Sequence, residues 1–293
     1  MLNMKKYSQI IFATALALVL LSCKKYKDET SGLSSAVFIH ASPGTPSAQI
    51  YLDTLLQSIL TNSSYSLSYS AGLTGTTTFS SGYVGIYPGS HKISLENRST
   101  NPKKVFININ QDFERNKFYS FFLYDTLNAS GEAKILRLTD DLSIPASGNT
   151  KIRFLNLAPN SGSLDVTLVR GTAFDTSSTS TQKLDFVATD SVTISSQAYV
   201  GATPDVNALS AFKTSVPGTT GEAIAKAKTI ATVPGLNKNN RYIIKLKAAG
   251  TQNVLAQSTV IALNAGGIYT IFARGTAQGQ ALGVSVFAHY LQF

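Results

Sequence analysis

Short stretches in which apolar and polar residues alternate recur along most of the chain. The alternation has a period of two residues in Arg241–Lys247, His91–Asn97 and Val284–Tyr290. This is the spacing expected for a β-strand with one buried face. Lys117–Tyr124 is an almost continuous aromatic run and is typical of a buried strand. Clusters of Gly, Pro, Asn and Ser separate these stretches, and no long segment has a helical period. The chain is therefore predicted to be all-β.

Three landmarks occur twice in the same order, which predicts a tandem repeat. The first is a strand, a proline turn and a second strand, and the second is a Pro-Gly turn before an alternating strand. The third is an aromatic strand that precedes a Gly-containing turn and a last strand. The copies of these landmarks begin near Ala36 and Lys151, Tyr87 and Val233, and Asn116 and Gly266.

Each copy has about seven short strands, which favours an immunoglobulin-like antiparallel β-sandwich. The predicted domains are residues 35–143 and 150–293, joined near Ile144–Thr150. The second domain carries an insertion near residues 172–220 that is rich in Ser and Thr. Apolar residues within this insertion suggest added strands or a hairpin.

The first 34 residues indicate an export signal. Lys5 and Lys6 precede an apolar run of 12 residues, Ile10–Leu21, which ends just before Cys23. The run is too short to span a bilayer comfortably, and a basic start with a short apolar core is typical of a signal peptide. Residues 1–22 are therefore predicted to be the signal peptide and 23–34 a flexible tether.

Cys23 is the only cysteine and directly follows the apolar core. This arrangement resembles the bacterial lipobox, in which the cysteine is lipidated and becomes the first mature residue. Lys27–Glu29 resembles the signal that directs lipoproteins of the Bacteroidetes group to the outer cell face. The resemblance implies an outer-membrane lipid anchor with the chain facing the exterior.

Charge and composition exclude several classes of function. The chain has 25 Lys and Arg against 16 Asp and Glu, a net charge of +9. The basic residues are scattered, and no run exceeds two, so no nucleic-acid partner is expected. The chain has one Cys and three separated His. We therefore expect neither a disulfide framework nor a metal site. The glycine patterns of nucleotide-binding loops and the Gly-x-Ser-x-Gly elbow are absent, so neither a cofactor nor an enzyme is predicted.

Val37–Pro43, followed by a strand that ends in Asp53, resembles the opening of a bacterial family known as domain of unknown function 4397. The resemblance covers most of residues 35–140 and implies an exported β-sandwich lipoprotein with no established catalytic residues. In the second domain Asn156 replaces His40 of this opening. That replacement fits a hydrogen-bonding role in the turn better than a catalytic base.

Four tyrosines in a polar segment are candidate ligand contacts, because tyrosine offers a rigid amphipathic face. They are Tyr65, Tyr69, Tyr83 and Tyr87. Packing of about half of them into the fold is the alternative interpretation. Asp140 and Asp141 form an adjacent pair that is expected to be solvated, because neighbouring strand residues point to opposite faces.

These observations predict a lipid-anchored, surface-displayed binding or adhesion module with a glycan or protein ligand. Two alternatives remain open. One is a structural or assembly subunit of the envelope that joins partners by β-strand addition. The other is a glycan-active hydrolase whose carboxylates come from the insertion, where the acids are Asp175, Asp185, Asp190 and Asp205.

Overall fold

The computed structural model describes residues 32–56, 69, 83–97, 100–175, 184–201, 203–219 and 238–290. The predicted signal peptide, Cys23 and most of the tether lie outside the described residues, and so does Tyr65. Strands make up 58% of the described part and helix only 3%, which confirms the all-β prediction. The strands form two units of the same topology, each made of two sheets.

Eight strands of the first unit lie within the described residues. In chain order they are β1 (Ser34–His40), β2 (Gln49–Leu52), β3 (Leu55–Leu56), β4 (Val84–Ile86), β5 (Gly89–Asn97), β6 (Lys104–Phe113), β7 (Phe118–Tyr124) and β8 (Lys134–Asp140). Sheet 1 has the order β3-β2-β5-β6, and sheet 2 has the order β4-β1-β7-β8.

Nine strands and one short helix of the second unit lie within the described residues. In chain order they are β9 (Asn149–Asn156), β10 (Leu164–Asp175), β11 (Leu184–Gln197), α1 (Val206–Ser210), β12 (Thr214–Pro217), β13 (Lys238–Ala248), β14 (Val254–Gln257), β15 (Ile261–Ala262), β16 (Ile268–Arg274) and β17 (Gly283–Tyr290). Sheet 3 has the order β12-β9-β16-β17. Sheet 4 has the order β11-β10-β13-β14, and β15 also pairs with β13.

The pairing is antiparallel as predicted, with one parallel pair in each unit. β1 runs parallel to β7, and β9 runs parallel to β16. The registers match, since His40 pairs with Leu123 in the first unit and Asn156 pairs with Ala273 in the second. Asn156 thus occupies the position that corresponds to His40.

The four sheets stack as layers. One apolar core lies between sheets 1 and 2, and a second lies between sheets 3 and 4. A third buried cluster joins the outer faces of sheets 2 and 3, where Phe122 and Phe272 meet edge to face with ring centroids 5.7 Å apart. We call this third cluster, together with the polar residues buried around it, the inter-unit layer.

The layer order explains the aromatic run that ends at Tyr124. β7 belongs to sheet 2, which is covered on both faces, so all but the first of its residues are buried. β16 is buried along its whole length for the same reason. β6 lies in the outer sheet 1, and its residues alternate in part between buried and exposed. The prediction of a buried strand is confirmed for Tyr119–Tyr124, whereas Lys117 precedes the strand and, like Phe118, is exposed.

The segment 172–220, predicted as an insertion, is built into the second unit. It supplies the end of β10, all of β11, the helix α1 and the short strand β12. β11 and β12 occupy the sheet positions that β3 and β4 occupy in the first unit. β11 has 14 residues whereas β3 has two, so much of the extra length is one long hairpin arm.

Candidate functional site

A buried polar network crosses the inter-unit layer at one end of the two units. Asp140, at the end of β8, accepts hydrogen bonds from the hydroxyls of Tyr83 and Ser120, both at 2.6 Å. Its other oxygen, Oδ1, lies 2.7 Å from Arg153 Nη2 on β9. A carboxylate buried between two sheets is therefore compensated by a guanidinium from the opposite unit.

His289 on β17 completes the network. Its Nδ1 lies 2.7 Å from the Tyr83 hydroxyl, and its Nε2 lies 2.6 Å from Thr270 Oγ1. Arg153 Nε donates to the same Thr270 oxygen at 2.7 Å. Tyr83 thus bridges Asp140 of the first unit and His289 of the second, and the network connects the two units through hydrogen bonds.

Burial controls the protonation of this network. Desolvation lowers the pKa of His289 from its ordinary value of 6.5 to about 3, although Asp140 acts in the opposite direction. The Tyr83 hydroxyl has its pKa raised, first by desolvation and then by the charge of Asp140. At neutral pH His289 is uncharged and Tyr83 is protonated. Within this network the ion pair is therefore formed by Asp140 and Arg153.

A cleft of about 1120 Å³ opens beside this network, at the junction of the two units. Tyr83, Asp140 and His289 line it, and so does Phe212, whose ring stacks on the Arg153 guanidinium at 4.7 Å. The remaining wall comes from both units and from the segment that joins them. These residues are Asn116, Lys117, Phe118, Thr139, Asp141, Leu142, Ser143, Ile144, Asn207, Ser210 and Ala211.

The cleft exposes large apolar side chains beside polar groups. Phe118 is 37% exposed and Ile144 is 64% exposed. The Phe118 ring packs edge-on against Tyr83, with centroids 5.6 Å apart. Tyr83 is itself hydrogen-bonded to Asp140 and His289, so the Phe118 ring packs against a side chain that is held in place.

Asp140 corrects one sequence-based expectation. The Asp140–Asp141 pair was expected to be solvated, but Asp140 is buried and only Asp141 is exposed. Asp140 is the last residue of β8, and Asp141 follows the strand. The error arises because the outer face of sheet 2 is not a solvent face: the second unit covers it and supplies Arg153.

The network was also not recognised from the sequence as a group. Asp140 and His289 are 3.7 Å apart in space but are separated by most of the second unit in sequence. The available signal was the repeat itself. Asp140 is the last residue of β8 and His289 the last but one of β17, and each bonds a hydroxyl on the neighbouring strand, Ser120 or Thr270.

The three described candidate tyrosines lie in different environments. Tyr69 packs edge-on against His40, and its hydroxyl accepts a hydrogen bond from Arg274 at 3.1 Å. Tyr83 lies in the network and lines the cleft. Tyr87 is 63% exposed, and its carbonyl oxygen lies 2.8 Å from Nε2 of His91. The described residues therefore do not gather these tyrosines into one surface.

His40 and Asn156 both lie at the turn that follows the first strand of their unit. Asn156 Nδ2 donates to the carbonyls of Gly162 and Gln197, and its Oδ1 accepts from Ser161. His40 is buried, and desolvation lowers its pKa to about 4, although the backbone of Pro46 and Thr45 acts in the opposite direction. The uncharged His40 belongs to the packing of this turn.

The acids of the predicted insertion are spread along it. Asp190 pairs with Arg170 on the surface of sheet 4, with Arg170 Nε 2.8 Å from Asp190 Oδ1. Asp205 caps α1 by accepting hydrogen bonds from the backbone of Asn207 and Ala208. Asp185 is exposed on β11, and the side chain of Asp175 lies outside the described residues.

Two further findings concern the described part of the chain. Within it, no three His, Cys, Asp or Glu side chains come together in a way that would hold a metal ion. No helix found there combines the length and the apolar character needed to cross a bilayer.

Comparison with known proteins gives one family. Residues 34–167 match the family described as domain of unknown function (DUF4397). The matched range covers the whole first unit, then β9 and the beginning of β10. The predicted resemblance to this domain is confirmed for that range. No curated protein matches the chain.

Proposed function

We propose that the protein is a lipid-anchored binding or adhesion module of the cell envelope that holds its ligand in the cleft between the two units. The observation that carries the proposal is the fixed, partly apolar wall of that cleft. A preformed concave surface with exposed aromatic and aliphatic side chains beside polar groups is typical of ligand sites. In this proposal the ligand is a glycan or a protein.

The state of the buried groups supports binding over proton transfer. Asp140 is held by Arg153, Tyr83 and Ser120, and uncharged His289 is held by Tyr83 and Thr270. A general acid or base needs a pKa near the working pH. The depressed pKa of His289 suits a residue that stabilises the floor of the cleft.

The anchor and the location are part of the same proposal and rest on the sequence around Cys23. Metabolic labelling with a fatty-acid analogue tests the anchor, and we expect label on the natural chain but none on Cys23→Ser. Protease treatment of intact cells tests the location. Loss of the protein beside an intact periplasmic control agrees with surface display, whereas full protection contradicts it.

A matched pair of variants tests the cleft. The chain from Lys24 onward contains every described residue and is applied to a glycan array and to a panel of purified extracellular proteins. We expect Ile144→Ser, in the cleft, to weaken binding at least tenfold, and Val187→Ser, 58% exposed on β11, to leave it unchanged. Absence of binding to every probe, or equal loss in both variants, would overturn the proposal.

β-Strand addition is a second candidate function, favoured by the edge strand β11. Within the described residues only β10 pairs with it, and the other edge of this 14-residue strand has no partner there. The sequence of β11 contains two charged residues, Asp185 and Asp190, and no proline or lysine. Edge strand β6 begins at Lys104 beside Lys103 and so carries the charge that discourages such pairing.

Self-association measures this second function directly. In analytical ultracentrifugation we expect a concentration-dependent dimer that Val187→Lys abolishes. Leu255→Lys serves as the matched control, since Leu255 is also exposed but lies on the four-residue strand β14 at the other side of sheet 4. A monomer at all concentrations, or a dimer that Val187→Lys leaves intact, contradicts strand addition between copies.

A further inference from the structure

The charges around the cleft leave one uncompensated cation. Asp140 pairs with Arg153 in the floor, and Asp141 lies 3.2 Å from Lys151 Nζ at the rim. Lys117 lines the cleft and is exposed, and within the described residues its ammonium has no recorded ion pair. Lys117 is therefore the one cleft-lining cation in the described part of the chain whose charge is unpaired, whereas the Asp141 carboxylate in the same wall, 66% exposed, is paired with Lys151.

The uncharged groups of the cleft suit a ligand with a flat apolar face and many hydroxyls. Phe118 provides an aromatic surface held in place by Tyr83. Asn116 and Asn207 are exposed on opposite units, and each amide can donate and accept at once. Sugar rings combine an apolar C–H face with hydroxyls that bond to such amides, and aromatic rings give them a rigid stacking surface.

We infer that the ligand of the cleft is a saccharide that carries a carboxylate, with Phe118 against a sugar ring and Lys117 paired with the carboxylate. This inference rests on the proposed binding function and names its ligand class. Asn116 and Asn207 bond hydroxyls from the two sides. Binding then involves both units at once, which explains why the site lies at their junction.

Two oligosaccharides of equal length separate charge from sugar recognition. Calorimetric titration uses an oligomer of galacturonic acid and the matching neutral oligomer of galactose, with the chain from Lys24 onward. We expect the acidic oligomer to bind at least tenfold more tightly at low salt, because a charge-assisted hydrogen bond contributes more than a neutral one. The preference should shrink as salt is raised, since Lys117 is exposed to solvent.

Variants at two neighbouring positions assign the roles. Lys117→Gln should weaken binding of the acidic oligomer about tenfold and leave the neutral one within twofold, whereas Lys117→Arg should retain the preference. Phe118→Ala should weaken both oligomers. Circular dichroism and the urea midpoint establish that each variant is folded, so a loss of binding is attributable to the cleft.

The outcomes distinguish this inference from the proposed function. If the neutral oligomer binds equally well and Lys117→Gln changes nothing, the acidic class is wrong while a glycan-binding function stands. If neither oligomer binds but a protein of the panel does, and Ile144→Ser weakens it, the glycan class is wrong and the cleft still functions. If no ligand responds to Ile144→Ser, both the inference and the proposed function are overturned.

Discussion

The two units present corresponding faces to each other but different side chains on them. β7 and β16 face each other through Phe122 and Phe272, which hold equivalent positions in the two registers. The interface is thus close to that of a symmetric dimer made within one chain. Apolar positions at its centre keep the symmetry, because two identical rings can pack against each other without cost.

The polar positions break this symmetry. Asp140 ends β8 in the first unit, whereas His289 stands near the end of β17 in the second. Two first units packed together would bury Asp140 against its own copy, and like charges in a low dielectric repel strongly. The unlike pair, with Arg153 between them, favours contact between different units. Two units of the same fold can therefore favour contact with each other over contact with their own copies through a few buried polar residues.

The largest expected effect follows from removal of the compensating charge. Arg153→Met leaves Asp140 buried without its guanidinium, which should cost about 3–5 kcal/mol of the free energy of unfolding. Urea denaturation of the wild type and the variant measures the loss. If the double variant Asp140→Asn/Arg153→Met is more stable than Arg153→Met alone, the loss of stability is due to the unpaired carboxylate of Asp140.

An exposed ion pair provides the control for this prediction. Arg170 pairs with Asp190 on the surface of sheet 4, where both side chains remain partly exposed. Arg170→Met should cost less than about 1 kcal/mol, since solvent screens such pairs. Equal losses in the two arginine variants would show that the inter-unit layer is as well solvated as the surface of sheet 4.

A smaller, graded effect is expected on acidification. Burial lowers the pKa of His289 to about 3 and that of His40 to about 4, from an ordinary 6.5. The unfolded chain therefore takes up these protons first as the pH falls. The contribution of the two uncharged imidazoles to the free energy of unfolding is fully present above pH 6.5. It is lost progressively as the pH falls below that value. Each histidine contributes a slope of up to about 1.4 kcal/mol per pH unit.

Urea midpoints at pH 7.5, 6, 5.5 and 5 measure this slope above the range in which carboxylates titrate. The variant His40→Asn introduces the residue that the second unit has at Asn156, and it should remove about half of the slope. A slope that is unchanged in this variant contradicts the assignment to His40. A midpoint that does not vary between pH 7.5 and 5 contradicts both assignments.

The sequence was sufficient for the strands and the repeat because both depend on local patterns. The alternation in β6 and the aromatic run in β7 follow directly from one or two covered faces. The hydrogen-bonding role inferred from the exchange of His40 for Asn156 holds for Asn156, which bonds to Gly162 and Gln197, but neither ring nitrogen of His40 has a hydrogen-bond partner among the described residues.

The candidate site could not be predicted in the same way, because it depends on how the units pack. Nothing near Asp140 in the sequence indicates that Arg153 and His289 approach it from another sheet. Tyr83 is one of the candidate ligand contacts and lines the cleft, but its hydroxyl is hydrogen-bonded within that network, in line with the alternative of inward packing. Strand alternation identifies the two faces of a strand, but it does not reveal that a second unit covers the outer one.

The smallest expected effect concerns the apolar centre of the inter-unit layer. Phe122→Leu and Phe272→Leu each keep most of the buried volume but lose the edge-to-face contact of 5.7 Å between ring centroids. A double-mutant cycle in urea should give a coupling energy of about 0.5–1.5 kcal/mol, the range measured for such aromatic pairs. Phe38→Leu with Phe272→Leu is the control, because Phe38 belongs to the core of the first unit and should not couple. A coupling near zero for Phe122 and Phe272 would contradict an edge-to-face contact between these two rings in solution.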